Sequence, residues 1–143
     1  MKSLVSSSPD STMDIAANLS RSLSGGEIIA LKGGLGMGKT CFVKGLAAGL
    51  GFAGEVTSPT FAIVNEYVGG RLSLFHFDMY RITGWDDLYS TGYFEYKDAG
   101  GVVAVEWSEN IAGALEDEKV ITVQIEKICE NERKITISGG ESL

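Results

Sequence analysis

Apolar residues recur at helical spacing in two segments of the chain. The first follows Ser8-Pro9-Asp10, which combines a capping hydroxyl, a first-turn proline and an early acid. The second begins at Lys39. The apolar positions are Met13, Ala16, Leu19 and Leu23 in the first segment, and Phe42, Val43, Leu46, Ala47 and Leu50 in the second. The spacing predicts one helix over residues 8–23 and another from residue 39 to about residue 50.

Other segments carry the patterns of strands. Continuous apolar runs at residues 28–31 and 102–105 predict two buried strands. Residues 61–67 and 72–77 predict two further strands, and Gly69-Gly70 between them predicts a hairpin turn. Alternation over residues 120–128 and 134–138 predicts a closing antiparallel hairpin, and short helices are predicted near residues 85–88 and 111–115.

Residues 33–40 read G-G-L-G-M-G-K-T and fit G-x-x-x-x-G-K-[ST], the phosphate-binding P-loop. The predicted strand before it and helix after it supply the required context. Gly33, Gly36 and Gly38 let a phosphate approach main-chain N–H groups that a Cβ would shield. Lys39 supplies a charge for the β- and γ-phosphates, and Thr40 supplies a hydroxyl for Mg²⁺.

Two carboxylates follow predicted strands. Glu106 comes directly after the apolar run 102–105, a Walker B-like pattern in which a neighbouring strand presents an acid to the magnesium shell. Asp78 ends the strand that contains His76. Glu106 is the first candidate for the metal acid and Asp78 the second, and spacing alone does not decide between them. We interpret His76 as a packed or strand-facing side chain rather than a catalytic base.

Several polar and aromatic positions leave alternatives open. Thr12 is a candidate for contact with adenine, or else it caps its helix or faces solvent. The loop 51–61 either acts as a switch segment, through Thr57, Ser58 and Thr60, or is a rigid turn fixed by Pro59. Trp107 either stacks beside the site or packs in the core. The aromatic residues of segment 89–96 are interpreted as local packing or as a partner surface.

Composition narrows the class of protein. A chain of 143 residues with 44% hydrophobic residues suits one globular domain over residues 1–143, with a frayed tail from about residue 139. The formal net charge of −7 argues against independent binding to RNA or DNA, because contacts to phosphates dominate that affinity. Cys41 and Cys129 lack metal-ligand spacing and are expected to be thiols. Since no signal-peptide or membrane-spanning pattern is present, we expect a cytoplasmic protein.

Five segments, taken in order, resemble the TsaE (YjeE) family, the small P-loop ATPases of bacterial threonylcarbamoyladenosine synthesis on tRNA. They are G-x-L-G-x-G-K-T at 33–40, S-P-T-F at 58–61, N-E-Y at 65–67, H-F-D-x-Y-R at 76–81 and E-W at 106–107. The P-loop is shared by very many proteins, so the order of the remaining segments makes the match specific. The resemblance runs from about residue 8 to about residue 138.

This resemblance implies an α/β fold, a P-loop NTPase-like three-layer sandwich with a mixed, partly antiparallel central sheet. It implies ATP or ADP and Mg²⁺ as ligands, with Thr40, Glu106 and Asp78 near the metal and with Lys39, Asp78, Glu106 and Thr60 in the reaction. The implied nucleotide-binding residues are Thr12, Gly34, Leu35, Gly36, Met37, Gly38, Lys39, Thr40, Cys41, Ser58, Trp107 and Glu109. The implied partners are the TsaD and TsaB subunits, and contact with tRNA is expected only indirectly, through that complex. No binding to DNA or to a membrane is expected.

From these expectations we predict metal-assisted attack of water on the γ-phosphate, slow in the isolated chain because no residue clearly serves as an arginine finger. TsaE itself is expected not to transfer the threonylcarbamoyl group. One alternative is a nucleotide-sensing module without useful turnover, and another is a small-molecule kinase, against which the absence of an R-x-x-x-R lid segment argues. The sequence also lacks the [NT]-K-x-D motif of GTPases.

Overall fold

The structure, a computed structural model, describes residues 2–34, 38–54 and 63–139. The strands are β1 Lys2–Ser6, β2 Ile28–Lys32, β3 Val64–Tyr67, β4 Leu74–Asp78, β5 Val102–Glu106, β6 Val120–Cys129 and β7 Glu132–Ser138. The helices are α1 Pro9–Ser20, α2 Lys39–Gly49, α3 Trp85–Ser90, α4 Tyr93–Asp98 and α5 Ala112–Leu115, and a 3₁₀ turn spans Ser108–Ile111.

All seven strands form one mixed sheet in the order β1-β7-β6-β2-β5-β4-β3. The central strand β2 pairs in parallel with both β5 and β6, and β5 pairs in parallel with β4. Antiparallel hairpins extend the sheet on both sides, β3 with β4 and β6 with β7, and β1 adds to β7 as an edge strand. This arrangement confirms the predicted mixed, partly antiparallel sheet.

Helices cover both faces of the sheet. Successive side chains of a strand point to opposite faces, and in the central strands the side chains on both faces are apolar. On one face α1 and α2 pack on a core that includes Ile29, Leu31 and Ala104. On the other face α3, α4 and the 3₁₀ turn pack on a core that includes Ile28, Val103 and Val105. The buried strands therefore read as continuous apolar runs, and the three layers of the predicted sandwich are present.

Glycines let α1 and α2 lie in close contact. A Cβ at Gly45 would stand 2.4 Å from the carbonyl oxygen of Met13, and one at Gly49 would stand 2.7 Å from Cα of Ala17. Neither distance is compatible with a side chain unless the helices move apart. These two glycines in α2 therefore set the spacing between the helices that cover one face of the sheet.

The structure corrects some predicted elements. Helix α1 ends at Ser20 and not at Leu23, although it begins as predicted, where the Ser8 hydroxyl accepts a hydrogen bond from the Ser11 amide at 3.0 Å. Strand β1 and helix α4 were not predicted. Strand β1 is short and partly polar and is defined only by its pairing with β7, which is distant in sequence. The helical segment 84–96 divides at Gly92, whose φ of 79° separates α3 from α4.

Cys41 is half-buried and Cys129 is exposed, and both are free thiols, as predicted. Among the described helices, none combines the length and apolarity needed to span a bilayer.

Candidate functional site

Lys39 is the first residue of α2, at the carboxyl end of the central strand β2. The chain leaves β2 through Gly33, with φ 146°, and enters the helix at Gly38, with φ 105°. Positive φ at Gly38 is a conformation that glycine adopts without strain. It directs the lysine side chain toward the next strand of the sheet, where Nζ lies 3.0 Å from Oε1 of Glu106. The predicted lysine and the first-choice acid are thus in direct contact.

Glu106 and Asp78 are neighbours in register at the carboxyl ends of the parallel strands β5 and β4. Ala104 packs in the core under α1 and α2, so Glu106, two residues further along β5, lies on the same face of the sheet. Asp78 is the register partner of Glu106 and lies on that face as well. The Asp78 side chain is exposed, and its Oδ1 accepts a hydrogen bond from the Tyr80 amide at 3.0 Å. Of the two carboxylates, Glu106 contacts Lys39, whereas Asp78 lies exposed at the rim of the site.

His76 is a largely buried residue of β4 that also contacts Glu106. Its Nε2 lies 2.7 Å from Oε2 of Glu106, so the ring belongs to the site and is more than a packed side chain. An ionised carboxylate only accepts hydrogen bonds, so Nε2 carries the proton in this contact. The sequence did contain a signal: His76 and Asp78 are two residues apart in one strand, and so share a face.

The environment of Glu106 strongly favours its ionised form. The hydrogen bond from His76 is the main cause that lowers its pKa from 4.5 to about 2; partial burial opposes this, and the hydrogen bond and charge of Lys39 add to the lowering. The side chains of Lys39 and Glu106 are only 16% and 17% exposed. The site is therefore a largely buried anion between two nitrogen donors, one on each carboxylate oxygen.

A cavity of about 380 Å³ lies beside the amino end of α2. Its lining comes from three parts of the chain: the segment entering α1, the start of α2, and the turn between β6 and β7. These residues are Ser6, Ser7, Ser8, Pro9, Thr12, Gly38, Cys41, Glu130, Asn131 and Arg133. Thr12, Gly38 and Cys41, predicted from the sequence to bind nucleotide, are thereby brought to one cavity.

Thr12 neither caps its helix nor faces solvent. Of the two interpretations of Thr12, the one as a capping or solvent-facing residue is therefore wrong. It is 3% exposed, and its hydroxyl lies 2.6 Å from the hydroxyl of Ser6, which in turn donates to the carbonyl of Ser8. The capping residue is Ser8 instead. Strand β1 supplies Ser6, so the unpredicted strand explains why Thr12 is buried.

The sequence did not single out the turn of the β6–β7 hairpin. Arg133 donates from Nη1 to the carbonyl of Cys129 at 3.0 Å and also to those of Glu130 and Glu132. It therefore holds the turn together while lining the cavity. Only pairing along the sheet brings this turn beside α2, and no local signal in the sequence indicates that position.

Trp107 lies beyond the end of β5 with φ 60°, which is uncommon for a residue other than glycine. Its side chain is 44% exposed and meets the Tyr80 ring edge-on at a centroid distance of 5.0 Å, so packing in the core is excluded. Glu109 is exposed in the 3₁₀ turn that follows. Asn110 fixes this turn to the end of β4, donating to the carbonyls of Met79 and Tyr80.

Thr40 is exposed in the first turn of α2, and Gly34 is exposed just after β2. The remaining predicted positions lie outside the described residues: Leu35, Gly36 and Met37 in the glycine-rich loop, and Thr57, Ser58 and Thr60 in the segment after α2.

The aromatic segment contains both buried and exposed rings, so local packing accounts for part of it. Tyr93 is completely buried and meets Phe77 edge-on, which is local packing. Tyr89 is 62% exposed and contacts Trp85 and Phe94, so these rings form an exposed aromatic surface.

The fold and the site define an α/β protein with a mixed sheet, in which the helix after the central parallel strand begins with lysine. Comparison with known proteins makes this more specific. The family model described as "Threonylcarbamoyl adenosine biosynthesis protein TsaE" matches residues 6–135. The chain belongs to the TsaE family.

Several relatives match over nearly their whole length. The chain is 40% identical over 134 residues to the tRNA threonylcarbamoyladenosine biosynthesis protein TsaE of Treponema pallidum, covering 94% of this chain and 98% of the relative. It is 37% identical to that of Aquifex aeolicus, with 96% of each chain covered. The crystal structure of Bacillus subtilis YdiB superposes with a TM-score of 0.75 at 34% identity, covering 95% of this chain and 83% of that one.

Proposed function

We propose that this protein binds ATP with Mg²⁺ and hydrolyses it slowly, and that this cycle serves threonylcarbamoyl transfer to the anticodon-adjacent adenosine of tRNA on a TsaD–TsaB complex. The observation that carries the proposal is the 3.0 Å contact between Lys39 and Glu106. It brings the cation at the start of α2 and the acid at the end of the neighbouring parallel strand to one point. Membership of the TsaE family supports the assignment to threonylcarbamoyladenosine biosynthesis.

The start of α2 suits a phosphate chain. A helix amino end carries unpaired N–H groups and a partial positive charge, which favour an anion by about 0.3–1 kcal/mol or more where the site is partly buried. Lys39 adds a full charge at the same place. In this proposal Lys39 leaves Glu106 and pairs with the β- and γ-phosphates, so that an internal ion pair is exchanged for one with the ligand.

The residues near the phosphates fit Mg²⁺. A carboxylate and a hydroxyl are hard oxygen ligands of the kind Mg²⁺ prefers. Glu106 would hold the metal directly or through water, Thr40 would supply a hydroxyl, and Asp78 lies at the rim as the second candidate acid. When bound, the metal would neutralise charge on the phosphoryl oxygens.

The cavity beside Gly38 is proposed to take the nucleoside. Its volume of about 380 Å³ lies within the range of about 300–1,000 Å³ that is usual for small-ligand sites. It adjoins the amino end of α2, where the phosphates would lie. Thr12, Cys41 and Arg133 are then the residues nearest the base and ribose.

We expect slow hydrolysis because three of the four arginines are engaged within the fold, while the fourth, Arg81, is exposed in the segment after β4. Arg21 donates to Asn18, Arg71 donates to the carbonyls of Ser20 and Leu23, and Arg133 donates to its own hairpin turn. An arginine finger contributes about 10³–10⁵ in rate. We therefore propose that a partner completes the site. The net charge of −7 fits a protein that leaves contact with tRNA to its partners.

Calorimetry with ATP and ADP, with and without Mg²⁺, tests nucleotide binding. Lys39→Ala should lower the affinity at least a hundredfold, whereas Lys44→Ala, an exposed lysine of the same helix, should leave it within about twofold. A folded wild-type protein that binds no adenine nucleotide would refute the proposal.

The partner is tested by adding purified TsaD and TsaB to a single-turnover hydrolysis assay. We expect the rate to rise at least tenfold with the complex, and threonylcarbamoyl transfer to tRNA to require this chain with ATP. Transfer that continues unchanged when hydrolysis is blocked would favour a nucleotide-sensing module. Phosphate transfer to a small acceptor alcohol would favour a kinase.

A further inference from the structure

His76 lies in β4, two residues before Asp78, which ends the strand. It pairs in register with Ala104 on β5, whereas Asp78 pairs with Glu106. The small side chain of Ala104 leaves space for the imidazole to lean along the sheet toward the next residue of β5 on that face. The result is the 2.7 Å contact between Nε2 and Oε2 of Glu106.

The two oxygens of Glu106 thus have different partners. Oε1 contacts Lys39, which starts the helix after the glycine-rich loop, and Oε2 contacts His76, which sits within a buried strand. The His76 side chain is 12% exposed, and Phe75 and Phe77 on either side of it are buried in the opposite core. The Lys39 contact has to open when a phosphate takes the lysine, whereas the His76 contact has no competing partner in the proposed complex.

From this asymmetry we infer that His76 is a positioning residue: it holds the Glu106 carboxylate toward the metal position after Lys39 has moved to the phosphates. The inference rests on the proposed function, because it assumes that Glu106 serves Mg²⁺. Hydrogen bonds to metal-binding carboxylates orient them, and losing such a bond typically lowers metal affinity or activity by 10- to 100-fold. The imidazole itself touches neither nucleotide nor metal.

The consequence is a selective loss. Without His76 the carboxylate is free to rotate once Lys39 leaves, so Mg²⁺ binds less tightly to the protein–nucleotide complex. We expect binding of ADP in the absence of metal to depend on Lys39 and the amino end of α2, and therefore to be unaffected. A side chain needed only for folding would instead lower both affinities together.

The test measures ADP affinity by calorimetry with Mg²⁺ and with a chelator, and Mn²⁺ binding to the ADP complex by electron paramagnetic resonance. His76→Leu keeps the volume and removes the donor. His76→Gln restores an N–H donor at about the same reach. The matched control is Tyr96→Phe, which removes a 2.8 Å hydrogen bond to the Glu66 carboxylate from a tyrosine that packs on Phe75 and Phe77, on the other face of the sheet.

We expect His76→Leu to reduce the affinity of the ADP complex for Mn²⁺ at least tenfold. Its affinity for ADP in the presence of the chelator should stay within twofold of wild type. His76→Gln should recover most of the lost Mn²⁺ affinity. The control should match wild type in both. Unchanged metal affinity in His76→Leu, equal loss of both affinities, or no recovery in His76→Gln would overturn the inference. If the wild-type protein itself binds ADP equally with and without metal, the proposed Mg²⁺ site is refuted, whatever the His76 variants do. Failure of the proposed function is thereby distinguished from failure of the inference about His76.

Discussion

Neutralising Glu106 should remove a stabilising charge cluster from the nucleotide-free protein, and the loss should depend on pH. The perturbation is Glu106→Gln, which keeps the shape of the side chain and mimics the protonated acid. Lowering a pKa from 4.5 to about 2 corresponds to about 3 kcal/mol of differential stabilisation of the ionised form. Since the side chain is 17% exposed, solvent screening reduces the expected effect to roughly 2 kcal/mol.

The sign follows from linkage. The pKa of Glu106 is lower in the folded protein, so the stabilisation is present above the unfolded value near 4.5 and is lost as the pH falls through about 2. The difference in unfolding free energy between wild type and Glu106→Gln should therefore be about 2 kcal/mol at pH 7. It should fall to less than half of that by pH 3, as protonated wild type comes to resemble the variant.

The assay is urea unfolding followed by far-ultraviolet circular dichroism at pH 7, 5, 4 and 3, without nucleotide. Other carboxylates titrate in both proteins, so comparing the two removes their contribution. Glu130→Gln serves as the control, because its ion pair with Lys127 is on the surface and its side chain is 89% exposed; the expected change is under about 0.5 kcal/mol. A difference for Glu106→Gln that stays constant from pH 7 to pH 3, or a more stable variant at pH 7, would refute the reasoning.

Three further outcomes test the fold and the cavity. Gly45→Ala should destabilise the protein by at least about 2 kcal/mol in urea unfolding, because the new Cβ would meet the Met13 carbonyl; a stabilised variant, as helix propensity alone predicts, would contradict this. Arg71→Met should cost about 1 kcal/mol in the same assay, since the guanidinium donates to the carbonyls of Ser20, the last residue of α1, and of Leu23, and should leave ADP affinity unchanged. Thr12→Val should weaken ADP binding about fivefold in calorimetry; unaltered affinity would show that the nucleoside does not use this hydroxyl.

Much of the candidate site was predictable because its signals are local. The glycines and Lys39 between an apolar run and a helical stripe indicated strand, loop and helix, and Glu106 followed a run of four apolar residues. A buried parallel strand requires apolar residues on both faces, and a phosphate loop requires glycine, so both requirements appear directly in the residue types. The pairing of β2 with β5 then fulfilled the expectation that the acid lies beside the lysine.

What the sequence left open depends on contacts between distant segments. The contact of Lys39 with Glu106 and not with Asp78 is set by the folded sheet, and the place of His76 follows from its register with Ala104. Strand β1 exists because β7 pairs with it, and that pairing buries Thr12 and sets one wall of the cavity. Sequence spacing fixes which face of an element a residue occupies, but register and sheet order decide what that face meets, and only the folded chain supplies them.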